Sequence, residues 1–159
     1  MDLRILLAQN KAKYGFISAS KLREMITPAS IQKHLEKKAI TLSIPLDPKA
    51  VARSRKLIAV LVLLDLEKHI EDAIVQGFGD EIFPSKPDNI SFLEDHEEKY
   101  QFCLEQWVIP PVFRPDQHIE LPKEAILPFL DNTRINHGAF GIVYKVKVAD
   151  GHLAGYGVC

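Results

Sequence analysis

The stretch Asp47-Pro-Lys-Ala-Val-Ala-Arg-Ser-Arg-Lys-Leu-Ile-Ala-Val-Leu-Val-Leu-Leu64 reads as a helix that ends inside a core. Asp47 offers a side-chain oxygen to the first free backbone N–H groups. Pro48 suits the first helical position, where an N–H would be unpaired anyway. The first half is basic, with Lys49, Arg53, Arg55 and Lys56, whereas every residue from Leu57 to Leu64 is apolar. A helix that is apolar all round is one surrounded by other elements. A membrane span needs about 20 apolar residues, so this run points to a core and not to a bilayer.

On the N-terminal side the same device recurs at Thr27-Pro28, where Ile31 and Leu35 sit one turn apart and the helix should fade near Lys38. On the C-terminal side Leu66, Ile70 and Ile74 recur at i, i+4 and i+8, with Gly77 as a stop. Asp95-x-x-Glu98 resembles a capping box. The following Tyr100, Cys103, Leu104 and Trp107 have i, i+3, i+4, i+7 spacing, which predicts one buried face, and Pro110-Pro111 ends the helix. From Val112 to Pro128 the chain should be extended and irregular, because Pro115, Pro122 and Pro128 disfavour helix and central strand alike. The period then changes to two. From Gly141 to Val148, Ile142, Tyr144, Val146 and Val148 take one face and Val143, Lys145 and Lys147 the other, the pattern of a strand. Ala149-Asp150-Gly151 is a turn, and His152 to Cys159 could begin a further strand. The expected fold is therefore mainly α, becoming α+β if the hairpin is ordered. It comprises a helical region over 1–108, a Pro-rich connector over 109–128 and a glycine-loop hairpin over 129–159.

The 159 residues are 47% apolar and 26% charged with a net charge of −1, the composition of a soluble globular domain. This excludes a disordered or collagen-like chain and argues against a protein built to grip nucleic acid. The even balance hides a split: residues 1–75 carry 13 Lys/Arg against 8 Asp/Glu, and residues 76–159 carry 7 against 13. Seven of the ten prolines lie between Pro84 and Pro128, and five of the eight glycines between Gly138 and Gly157, so the chain has a basic helical zone, a Pro-rich acidic zone and a short Gly-rich end. Two cysteines, Cys103 and Cys159, are too few for a disulfide framework. The early acid of Met1-Asp2-Leu3-Arg4 does not suit a signal peptide. A cytoplasmic or nuclear location follows as the expectation. The histidines are scattered without metal-ligand spacing. The basic set Lys49, Arg53, Arg55 and Lys56 reads as a solvated helix face, and the acidic run Glu94 to Glu98 as complement to a helix N-terminus. Trp107 reads as a core anchor.

The chemistry-bearing segment is Ile135-Asn-His-Gly-Ala-Phe-Gly-Ile-Val-Tyr-Lys145. It fits G-x-G-x-x-G-x-V at every position but the first, where Asn136 stands for Gly. A hairpin that lies flat over a triphosphate must present backbone N–H groups, so side chains are unwelcome at the closest points. In this reading Gly138, Ala139, Phe140 and Gly141 form the tip, Phe140 covers the phosphates, and Ile135 and Val143 flank the base. A bare G-x-x-G also suits a KH-type clamp or a hairpin without a ligand. The absence of Gly-Lys-Ser/Thr excludes a Walker A loop, and glycines that enter a strand exclude a Rossmann turn.

Glu105-Gln-Trp-Val-Ile-Pro-Pro-Val-Phe113, then Ile126-Leu-Pro-Phe-Leu130, then Gly138 to Val148 resemble a family of fungal protein-kinase-domain proteins. Arg55 to Leu61 and Gly77 to Pro84 resemble that family's helical leader, so the likeness covers about residues 26–152. It implies a helical region ahead of a serine/threonine-type kinase small lobe. The implied ligand is ATP, held by Ile135, Asn136, Gly138, Ala139, Phe140, Gly141 and Val143, with Mg2+ entering only in a complete kinase. The departures are large: no A-x-K follows Gly141, and no H-R-D or D-F-G is present. Lys145 and Lys147 leave the loop on its own strand and read as a solvated face, and Gly77-Phe78-Gly79-Asp80 reads as a helix stop. The expectation is an N-terminal fragment that binds nucleotide weakly, transfers no phosphoryl group alone, and meets neither membrane nor nucleic acid. The alternatives are a helical protein-interaction module with a vestigial kinase remnant, and a truncated product without a function of its own.

Overall fold

Caps and stops written into the sequence set the helices of the computed structural model, which describes residues 2–156. In chain order they are α1 (Leu3–Tyr14), α2 (Ala19–Met25), α3 (Pro28–Lys37), α4 (Pro48–Leu63), α5 (Ile70–Val75) and α6 (His96–Glu105), followed by β1 (Phe129–Gly138) and β2 (Gly141–Val148). The protein is mainly helical with one antiparallel hairpin, the expected class. Thr27 and Asp47 cap α3 and α4 as the sequence requires, accepting from the N–H groups of Ser30 and Ala50. Two helices precede the first anticipated one. Asp2 and Ser18 cap them, and the N–H of Gly15 closes α1 by donating to the carbonyl of Lys11.

The core is organised around the second half of α4, where Leu57 to Val62 are fully buried. It is closed by Leu3 and Leu7 from α1, Ile31 and Leu35 from α3, Ile70 and Ala73 from α5, and Phe102 from α6. Each such aliphatic side chain contributes on the order of 1.5–3 kcal/mol by burial. A buried polar pair crosses this core: the His34 ring lies 2.7 Å from the Glu67 carboxylate, with the Lys38 ammonium 3.6 Å from the same oxygen.

Two expectations about side-chain direction are corrected. Asp95 caps α6 by accepting from the Glu98 N–H, but the Glu98 carboxylate lies 3.3 Å from the His69 ring. The reciprocal capping box is found at Thr27 and Ser30 instead. The buried face of α6 is also not the anticipated one. Tyr100 and Leu104 are exposed and Cys103 is half-buried; Phe102 is fully buried and Gln106, in the following 3-10 turn, nearly so, beside Trp107. Gln106 can face inward because it accepts from the Ser85 N–H (2.7 Å) and donates to the carbonyls of Ser85 (3.0 Å) and Cys103 (2.7 Å). A buried amide satisfied in this way carries no desolvation penalty large enough to turn it out.

Residues 110–128 are irregular, and the hairpin follows. The hairpin's base is stitched to the helices by His152. The His152 ring is fully buried; its Nε2 accepts from the Ala19 N–H at the start of α2 (2.8 Å), and its Nδ1–H donates to the Pro111 carbonyl (2.9 Å). Gly151 sets this up. Its φ is +85°, and a Cβ there would meet the Ala19 methyl at 3.0 Å and the Ser20 nitrogen at 3.2 Å. The anticipated further strand does not form over 152–156, where Leu153 makes only an isolated bridge with Phe113, and 157–159 lie outside the described residues.

The two bonds of His152 fix the neutral ring with its proton on Nδ1. Burial, with the charge of Lys56 adding to it, holds its pKa below the ordinary 6.5, against the pull of the Pro111 carbonyl. The folded pKa lies below the unfolded one, so this contribution is complete above about pH 6.5 and is lost as pH falls through the folded value. His152→Ala is expected to lower stability by about 1–3 kcal/mol, since it strands a buried N–H and a carbonyl. Hydrogen exchange at the Ala19 amide checks this locally. Urea midpoints between pH 7 and 5 should fall less steeply in the variant than in the wild type.

Candidate functional site

All seven anticipated loop residues meet at one end of the hairpin. Gly138 pairs with Gly141, His137 with Ile142 and Asn136 with Val143, leaving Ala139 and Phe140 as a two-residue tip. Between the Arg134–Tyr144 and Asn136–Val143 pairs β1 carries one extra residue, Ile135, so a bulge sits where the loop joins its strand. Gly141 has φ +151°, a conformation side chains rarely adopt, and a Cβ at Gly138 or Gly141 would find no atom within 4 Å. Backbone at the tip is thus open on the side from which an anion could approach. Phe140 is fully exposed, and every residue from Asp131 to Lys147 is exposed on both faces of the ladder. Among the described residues nothing packs against either face of the hairpin over Asp131 to Lys147. Lys145 and Lys147 are exposed, as anticipated for a solvated strand face.

A second constellation was not anticipated. Helix α4 is broken at Ser54, whose φ of −128° and ψ of +18° are not helical. The break frees the N–H groups of the next turn. The Asp80 carboxylate takes two of them, one oxygen accepting from the Lys56 N–H and the other from the Leu57 N–H, both at 3.0 Å. Asp80 therefore acts as an N-cap supplied from a remote segment. Gly79 makes room for the approach, since a Cβ there would lie 2.9 Å from Cγ of Arg53. Reading Gly77-Phe78-Gly79-Asp80 as a helix stop holds for Gly77 but misses Asp80.

The basic face of α4 is also corrected. Arg53 donates to the Gly77 carbonyl (2.7 Å) and the Glu81 carboxylate (2.8 Å), and Arg55 donates to the Ile26 carbonyl (3.2 Å). Lys56 points inward, its ammonium 4.6 Å from the Phe83 ring centre. Lys49 and Arg53 are exposed, as a solvated face requires, whereas Arg55 and Lys56, which follow the break at Ser54, are half-buried against neighbouring segments. Beside Lys56 opens a cavity of about 490 Å3, walled by Leu22, Phe83, Trp107 and Ile109, with Asp80 at its margin. Burial lowers the pKa of Lys56 to about 8, with Asp80 opposing. Burial also raises that of Asp80, against the two N–H bonds and the charge of Lys56.

No helix among the described residues is long and apolar enough to cross a membrane. Compared with known proteins, the chain matches no family model, no curated protein and no solved structure.

Proposed function

We propose that residues 129–148 are the phosphate-covering hairpin of a nucleotide-binding unit of protein-kinase type, attached to a helical region in a cytoplasmic or nuclear protein. The observation that carries the reading is the register. It closes the ladder on Gly138-Ala139-Phe140-Gly141 and sets Val143 opposite Asn136, with Ile135 beside them. In this arrangement the tip N–H groups take phosphate oxygens, Phe140 screens them from water, and Ile135 and Val143 roof the base. Without a facing wall the affinity is low, with a Kd on the order of 1 mM, about −4 kcal/mol. The sequence has no H-R-D or D-F-G, so this chain alone transfers no phosphoryl group.

Titration with Mg-ATP should shift the amide signals of Phe140 and Val143. Gly141→Val should abolish the shifts, because its φ of +151° disfavours a β-branched residue. Unmoved signals in the wild type sink the reading and leave the helical region as a protein-interaction module. Turnover of labelled ATP by the purified chain would overturn the claim of inactivity.

A further inference from the structure

We propose that the cavity between α4, the Phe83 segment and the Trp107–Ile109 turn binds a small organic carboxylate with an apolar body, its carboxylate seated on the Lys56 ammonium. The inference is independent of the hairpin reading. It starts from an imbalance. Among the described residues Lys56 has no hydrogen-bond acceptor for its ammonium and no carboxylate within 4 Å of it. Both oxygens of Asp80, the nearest acid, are held by backbone N–H groups. Its close partner among the described residues is the face of Phe83, a contact that orients a cation without neutralising it.

Lys56 is half-buried, so its ammonium gives up part of its hydration without gaining an anion, which favours an anionic ligand beside it. The remaining space beside it is of the size small ligands occupy. Its walls set the rest of the ligand. Leu22, Phe83, Trp107 and Ile109 are apolar, so they suit a hydrocarbon or aromatic body and give little to a multiply charged phosphate. The charged groups facing Lys56 do not already answer it. Asp80 is engaged as a cap, Glu120 on the rim is almost fully solvent-exposed, and His152 is held neutral by its two bonds. A bound carboxylate supplies the missing charge and stabilises the protonated lysine.

The experiment uses the one tryptophan of the chain, Trp107, which lines the cavity. Phenylacetate is titrated against the whole protein by Trp107 fluorescence, with phenylacetamide as the neutral isostere. The expected result is saturable binding of phenylacetate at least tenfold tighter than of the amide. The preference should be lost in Lys56→Met, which keeps the stem's volume, and retained in Lys56→Arg. Should Lys56→Met fail to fold, the 13Cε signal of Lys56 in the wild type decides. It should hold its protonated position to higher pH with phenylacetate present, and not with the amide. Equal binding of acid and amide, inorganic phosphate binding as tightly as phenylacetate, or no saturable change overturns the proposal.

Discussion

Asp80→Ala is expected to lower stability by about 2–4 kcal/mol, the loss of a remote cap and of two charge-assisted hydrogen bonds inside the fold. The break at Ser54 explains why the effect exceeds that of a surface cap. After the break the N–H groups of Lys56 and Leu57 begin the helix that runs through the centre of the core. With alanine at position 80 they lose both carboxylate acceptors at a part-buried position beside the Lys56 ammonium. Asp80→Asn keeps one acceptor and loses the charge, so about half the effect is expected. Urea denaturation at pH 7 checks both variants. The pH dependence has a definite sign. The folded pKa of Asp80 is raised, so protonation favours the folded state and its contribution does not fall as acid is added. Acid weakening is expected instead from His152 and from Asp2, Asp65 and Glu81, whose folded pKa values are lowered.

The order in which features were legible follows the distance over which their causes act. Thr27-Pro28 and Asp47-Pro48 announce α3 and α4 because a cap and an N1 proline act within four residues. The run Leu57–Leu64 announces the core because an all-apolar helix has no other stable place. The hairpin tip was readable because period two and glycine spacing are local. Helices α1 and α2 were missed despite the caps Asp2 and Ser18. In α1 only Leu3 and Leu7 are buried while Ile5 and Leu6 are exposed, so the apolar pattern marks no clear stripe. The roles of Lys56, Asp80 and His152 depend on partners 23 to 133 residues away, or on a backbone break that no side-chain pattern encodes. The one local clue was the acid of Gly77-Phe78-Gly79-Asp80, placed after a small residue that lets it approach a helix. Gln106 misled for a related reason. Apolar spacing alone leaves Gln106 out of the buried face, although the backbone of Ser85 stands ready to satisfy it.

The largest single loss is expected at Phe102. Its ring is fully buried, stacked on Phe83 at 5.7 Å between centres and edge-on to Phe92 at 5.8 Å. Phe78 extends the group by meeting Phe92 at 4.9 Å. Phe102→Ala removes the ring that joins these contacts and leaves a cavity whose walls come from three separate segments. Truncations of this kind lower stability by about 3–5 kcal/mol, enough to unfold a marginal domain. Phe102→Leu fills most of the volume and gives up the aromatic contacts, so about 1–2 kcal/mol is expected. Tyr100→Ala, two residues away on the same helix, should change stability by less than about 0.5 kcal/mol, because its side chain is exposed. Equal effects at 100 and 102 in thermal or urea denaturation would restore the helix face that spacing alone predicts. Phe102→Leu has a second use, since it leaves a foldable protein. Phe83, held flat by Phe102, is the same ring that faces the Lys56 ammonium at 4.6 Å. Loosening that stack should weaken carboxylate binding at Lys56 several-fold while leaving the nucleotide response of Phe140 and Val143 unchanged. That outcome separates a site built into the helical core from one built on the hairpin.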